Sequence, residues 1–228
     1  MWILGGLFLA LAILVHVGAL TGLDQWAVDH LMPALRPRSV PRSVGTSVFP
    51  IFHVRRGMDL PVAAAAYGVA WVASALPALV LTAIGCLYLQ KRGQAGLAVR
   101  FALVFVAVNV LVLVGKSVID RPALYGTDPK GVRVHVLPFD TSFPSGHAAR
   151  AVILVALVSV CVARLRVLAV AWLAAVLVLL VLGAWHTPSD VLGSVLLAGA
   201  FAIPLLRDRD QLRPRARDDA QESCGDLQ

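Results

Sequence analysis

The sequence predicts an all-α, polytopic membrane protein with about six transmembrane helices, and three observations predict it. The 228-residue chain is 59% hydrophobic and only 14% charged, whereas a soluble domain is about 45–50% apolar and about 25% charged. Its mean hydropathy is +0.81. Several apolar runs approach the roughly 20 residues that carry a helix across a bilayer core. Residues 1–206 read as one transmembrane domain. Residues 207–228 read as a charged cytoplasmic tail, which lacks hydrophobic periodicity and is expected to be disordered.

Taken in order, the first span covers residues 2–21. It lacks the basic flank of a cleaved signal peptide and reads as a retained helix. Residues 22–58 are polar and rich in Pro and Arg, but "LDQWAVDHLMPAL" within them places Trp26, Leu31 and Met32 as an interfacial helix would. Residues 59–91, interrupted by Pro61 and Pro77, read as a short Ala-rich helix leading into a span near 76–90, which "QKRGQ" ends. The remaining spans fall near 96–117, 146–163, 167–186 and 190–206.

Lys91, Arg92 and Arg100 share one side of the membrane with Arg164, Arg166 and the tail. The positive-inside rule makes that side cytoplasmic and places both termini there. Lys116, the 118–145 loop and His186 then face the extracytoplasmic side. Arg36, Arg38, Arg42, Arg55 and Arg56 add positive charge to that same side, against the rule.

The formal charge of +7 does not indicate a nucleic-acid partner. The basic residues sit in short loops and in "RDRDQLRPRARDD", with no interleaved aromatics, where anionic membrane lipids are the simpler partner. Cys86 and Cys161 lie in apolar spans and Cys224 in the tail, without metal-ligand spacing. His16, His30, His53 and His135 have no second ligand nearby in sequence and read as interface or loop residues. Asp140 reads as a loop cap, and Trp71, Trp172 and Trp185 as packing or interface anchors.

Three polar clusters remain: "GKSVIDRP", "FPSGHAAR" and "WHTPSDVLG". Each lies about one membrane thickness from a basic cytoplasmic end, so all three meet at one level. Ser145 is a good N-cap, and the amides of Gly146 and His147 behind it form the positive end of a helix, a ready phosphate site. Lys116 can add positive charge to the same anion. Asp190, four residues after His186, can hold one imidazole nitrogen and leave the other free as a nucleophile. His147 can protonate the leaving oxygen. Together they read as phosphoryl transfer through a phosphohistidine, with amides and cations on the equatorial oxygens.

The clusters resemble the three motifs of the type 2 phosphatidic acid phosphatase (PAP2) superfamily, which is related to the vanadium haloperoxidases. That pattern is K-x6-R-P, then P-S-G-H, then S-R-x5-H-x3-D, on a six-span helical core. Lys116 matches the first lysine, Pro144 to His147 match the second motif completely, and His186 and Asp190 match the third. The separations of 31 residues from Lys116 to His147 and 39 from His147 to His186 suit that fold. The resemblance implies a phosphatase that needs no metal or cofactor. Its substrate would be a lipid phosphate such as phosphatidic acid, phosphatidylglycerophosphate or a polyprenyl phosphate or pyrophosphate. His186 would be the nucleophile, Asp190 its orienting partner, His147 the acid and base, and Lys116, Ser145 and Gly146 phosphate ligands.

The sequence departs from the pattern at both clamp arginines. Ala123 stands where the first motif has arginine, and Leu179–Leu180 replace the Ser-Arg of the third. Arginine makes bidentate contacts to phosphate that one lysine does not reproduce. Two residues are candidates to replace them: Arg121, in an "RP" two residues early, and Arg150, one turn beyond His147 on the same helix face. An arginine so close to an apolar span is costly unless it is paired or functional. The alternative reading is a non-catalytic lipid-phosphate binder or scaffold of the same fold. The intact His147, His186 and Asp190 favour the enzyme.

Overall fold

The computed structural model describes residues 2–32, 68–127, 132–183 and 185–225, with side chains omitted at Val134 and from residue 208 onward. His53, Pro61 and the five arginines between 36 and 56 lie outside the described residues.

Backbone groups in a hydrocarbon setting must be satisfied within the chain, and the long Leu, Val and Ala runs meet that demand as helices. The order is α1 (Trp2–His16), α2 (Thr21–Leu31), α3 (Ala75–Lys91), α4 (Ala95–Val118), β1 (Tyr125–Thr127), β2 (Arg133–His135), α5 (Gly146–Cys161), α6 (Arg166–Leu182) and α7 (Pro188–Gly225). The two strands form an antiparallel hairpin with Tyr125 opposite His135, inside the stretch expected to be loop. A single 3-10 turn, Leu137–Phe139, leads from it toward α5.

Among the described residues, the apolar segments expected from the sequence coincide with helices, but they do not all qualify as spans. By length and composition α4, the stretch Ala163–Leu182 and the Pro188–Arg207 part of α7 can cross a membrane. The pair α1–α2, bent by 80°, makes a fourth if it is one span, while α3 and α5 are shorter apolar helices. Length explains α5: Ser145 caps its start and the chain leaves the helix after Cys161, so it holds 16 residues.

Helix α5 occupies the centre and packs against α3, α4, α6 and α7. Its Ala149, Ile153, Leu154, Leu157 and Val160 join Phe101, Phe105 and Val108 of α4 and Leu197, Ala198 and Ala202 of α7 in the main core. Ala148, Ala149, Ala151 and Ala156 are buried on it, small residues that let neighbouring backbones approach. Helix α6 is peripheral and buries only Ala169, Val176 and Leu180. Trp172 packs as expected, with its indole donating to the Val69 carbonyl at 3.0 Å.

Two boundaries differ from the sequence reading in ways that matter. Helix α6 stops at Leu182 rather than continuing to residue 186, so His186 sits in the turn before α7. Gly183 is the cap that follows the last helical residue, and Pro188 disfavours helical backbone at Thr187, so the segment between them does not extend the helix. Helix α7 keeps a helical backbone to Gly225, through the stretch assigned to a disordered tail. Arg, Gln, Leu, Ala and Glu there are good helix formers.

Candidate active site

The second cluster begins at a close contact between α4 and the loop before α5. A Cβ on Gly115 would stand 2.6 Å from Pro144 Cδ, so only glycine lets the two pass. Gly115→Ala is therefore expected to destabilise the protein by about 1–3 kcal/mol through overpacking. A thermal melt in detergent reads this directly, and an unchanged melting temperature would contradict the close approach.

One residue on, Lys116 Nζ donates to the carbonyls of Thr141 and Ser142, each at 3.0 Å. An ammonium has three protons, so one remains for an anion. Ser145 caps α5 as expected, with Oγ accepting from the Ala148 amide at 3.3 Å. The amides of Gly146 and His147 have no acceptor inside the helix, the usual state of a first turn. The Ser145 amide donates to the Asp190 carbonyl at 3.2 Å, joining the second cluster to the third.

His186 hangs from the end of α6, where its own amide and that of Trp185 both donate to the Leu180 carbonyl at 3.1 Å. Its Nδ1 lies 3.4 Å from Asp190 Oδ2, the long end of a hydrogen bond. Asp190 is fully buried. Its Oδ2 also accepts from the Thr187 amide at 2.9 Å, and its amide faces Thr187 Oγ1 at 3.5 Å. Thr187 and Asp190 thus make a capping box at the start of α7, which orients the same carboxylate that meets His186. Ser142 Oγ donates to Asp190 Oδ2 at 2.6 Å. The His147 ring stands 6.1 Å from the Trp185 ring, next to the turn that carries His186.

The two arginine candidates occupy different places. Arg121 is committed: NH1 donates to Asp190 Oδ1, Thr187 Oγ1 and Ser142 Oγ, and NH2 to Ser189 Oγ and Asp24. Its side chain is 3% exposed. An incoming phosphate would have to displace a carboxylate, so Arg121 is placed as the counterion of Asp190 rather than as a free phosphate donor. Arg150 curls back under the start of α5, since a Cβ on Gly146 would stand 3.2 Å from both of its terminal nitrogens. Its Nε donates to the Ala73 carbonyl at 2.9 Å and NH1 to Asn109 Oδ1 at 3.0 Å. Among the described residues NH2 has no protein partner, and no fully buried side-chain nitrogen is left without one. Leu180, at the family's arginine position, is fully buried beside Ala148, Ala151, Val176 and Val191.

Sequence reasoning missed five polar members of this layer: Asp24, Asn109, Ser142, Thr187 and Ser189. Two carried a signal. Thr187 and Asp190 have capping-box spacing, and Asn109 lies seven residues before Lys116, hence on the same face of α4.

Fold and site together define a helical membrane protein with a lysine, a capped helix start and a His–Asp pair gathered into one polar layer. A family model described as the PAP2 superfamily matches residues 96–214, just over half of the chain, and the chain belongs to that superfamily, whose members are generally phosphatases. No curated protein and no solved structure matches it significantly.

Proposed function

We propose that the protein is a lipid phosphate phosphatase with its site on the extracytoplasmic face, acting through a phosphohistidine and without a metal. His186 attacks phosphorus through its free ring nitrogen while its Nδ1–H is held by Asp190. The bond from phosphorus to the ester oxygen breaks, and His147 gives its proton to that oxygen. His147 then takes a proton from water, which attacks the phosphohistidine and releases orthophosphate. Lys116, the amides at Gly146 and His147, and Arg150 surround the equatorial oxygens. The observation that carries this reading is the buried His186–Asp190 pair, tied through the Asp190 carbonyl to the capped start of α5.

A second observation supports a lipid rather than a soluble ester. An open groove of about 490 Å³ runs along α6 and α7 and is lined by Leu31, Leu177, Val181, Pro188, Val191 and Val195, among others. It starts beside the turn that holds His186. An acyl or isoprenoid chain laid there would leave its headgroup in the polar layer.

Purified protein in liposomes is expected to release orthophosphate from phosphatidic acid, phosphatidylglycerophosphate or a polyprenyl pyrophosphate. Acid-labile, base-stable phosphoprotein should be trapped on quenching. Binding of these lipids with no release from any of them would favour the scaffold reading instead.

A further inference from the structure

We propose that Asp24, on α2 and outside the stretch that the family model matches, is a positioning residue of the reaction. It holds Arg121, Arg121 holds Asp190, and Asp190 holds the His186 ring. The inference rests on the reading of His186 as nucleophile.

Asp24 is fully buried on a helix that the sequence presents as interfacial. A buried carboxylate is costly unless paired and hydrogen-bonded, and among the described residues its hydrogen bonds lead toward the site. Its Oδ1 accepts from the Ser189 amide at 3.2 Å, and its Oδ2 from Ser189 Oγ at 2.6 Å and from Arg121 NH2. Ser189 is the residue before Asp190, in the first turn of α7. The Arg121 guanidinium bridges two carboxylates, Asp24 through NH2 and Asp190 through NH1 at 3.0 Å.

Two consequences follow for His186. The first is geometric. Oδ2 of Asp190 meets the ring at 3.4 Å, so a modest rotation of the carboxylate would break that contact. Arg121 on the other oxygen opposes the rotation, and Asp24 fixes Arg121. The second is electrostatic. Arg121 and Asp190 alone would be a neutral pair with little pull on a developing imidazolium. An ionised Asp24 offsets the guanidinium, which leaves one net negative charge on the three groups beside His186.

Helix α2 is fastened to the segment that carries Arg121. Gln25 pairs with the Tyr125 backbone in both directions, at 2.7 and 2.9 Å. Asp29 takes a two-pronged contact from Arg133 NH2 at 2.9 and 3.0 Å. At the α1–α2 corner Gly18 has φ +77°, and a Cβ there would stand 2.7 Å from Pro122 Cγ. The N-terminal helices are thereby a wall of the site.

The test measures phosphate release from phosphatidic acid in liposomes, with orthovanadate binding counting competent sites per chain. Asp24→Asn is expected to lower kcat per vanadate site about tenfold to a hundredfold, the scale seen when a metal-ligating histidine loses its outer partner, with KM unchanged. In an Asp190→Asn background the same change should cost nothing more. Ser189→Ala, which removes one support of Asp24 without altering charge, should lower kcat per site in the same direction by a smaller factor. It decides the matter if Asp24→Asn yields no countable sites. Unchanged turnover per site in these variants, or a loss fully matched by lost sites, would overturn the positioning role. Inactivity of the wild-type protein, or full activity of His186→Ala, would instead overturn the underlying phosphatase reading.

Discussion

Replacing His186 by Ala is expected to lower phosphate release by at least about 10⁴-fold, the scale seen when a covalent nucleophile is deleted. The loss should fall on kcat, and trapped phosphoprotein should vanish with it. Orthovanadate binding should persist more weakly, since Lys116, the α5 amides and Arg150 remain. His147→Gln should behave differently. General acid catalysis contributes about 10²–10⁴-fold, and it matters only when the leaving oxygen needs a proton. An aryl phosphate with a good leaving group should therefore recover most of the rate of phosphoprotein formation in His147→Gln and none of it in His186→Ala. Equal loss on both substrates in both variants would remove the division of labour between the two histidines.

The placement of these histidines was legible in sequence because each stands in a local pattern. Ser145 before an apolar run signals an N-cap, and a histidine just inside it has to lie at the helix start. His186 and Asp190 needed only a spacing of four. The exact limits of α6 were not legible, because an apolar run does not say where a turn opens, and Gly183 and Pro188 were weak marks. Asp24 was invisible for another reason: its guanidinium partner lies 97 residues away, and an aspartate on a short amphipathic helix looks like ordinary solvated charge. The partners of Arg121 were hidden by the same gap. Its place as an "RP" near the family position pointed to phosphate, but two buried carboxylates on α2 and α7 claim it. The hairpin at 125–135 is three residues per strand, too short for alternation to register.

In the proposed mechanism Arg150 is the guanidinium that faces the anion, since Arg121 is engaged by two carboxylates, and its replacement carries the second large effect. Arg150→Ala is expected to lower kcat/KM by about 10²–10³-fold, the range for deleting one preorganised donor at a developing oxyanion. Arg150→Lys should recover only part of this. Lysine keeps the charge but lacks the planar fork through which Nε and NH1 hold Ala73 and Asn109. Asn109→Leu should cost less than Arg150→Ala, because it removes an acceptor that aims the guanidinium rather than the guanidinium itself. This order, Ala worst, then Lys, then the Asn109 variant, separates a clamp from a structural arginine. A structural arginine would lower the melting temperature in proportion to activity. A clamp weakens orthovanadate binding and turnover while the protein stays folded. Activity in Arg150→Ala equal to wild type would leave Lys116 and the α5 amides as the whole anion site, and both family arginines would then have been lost without replacement.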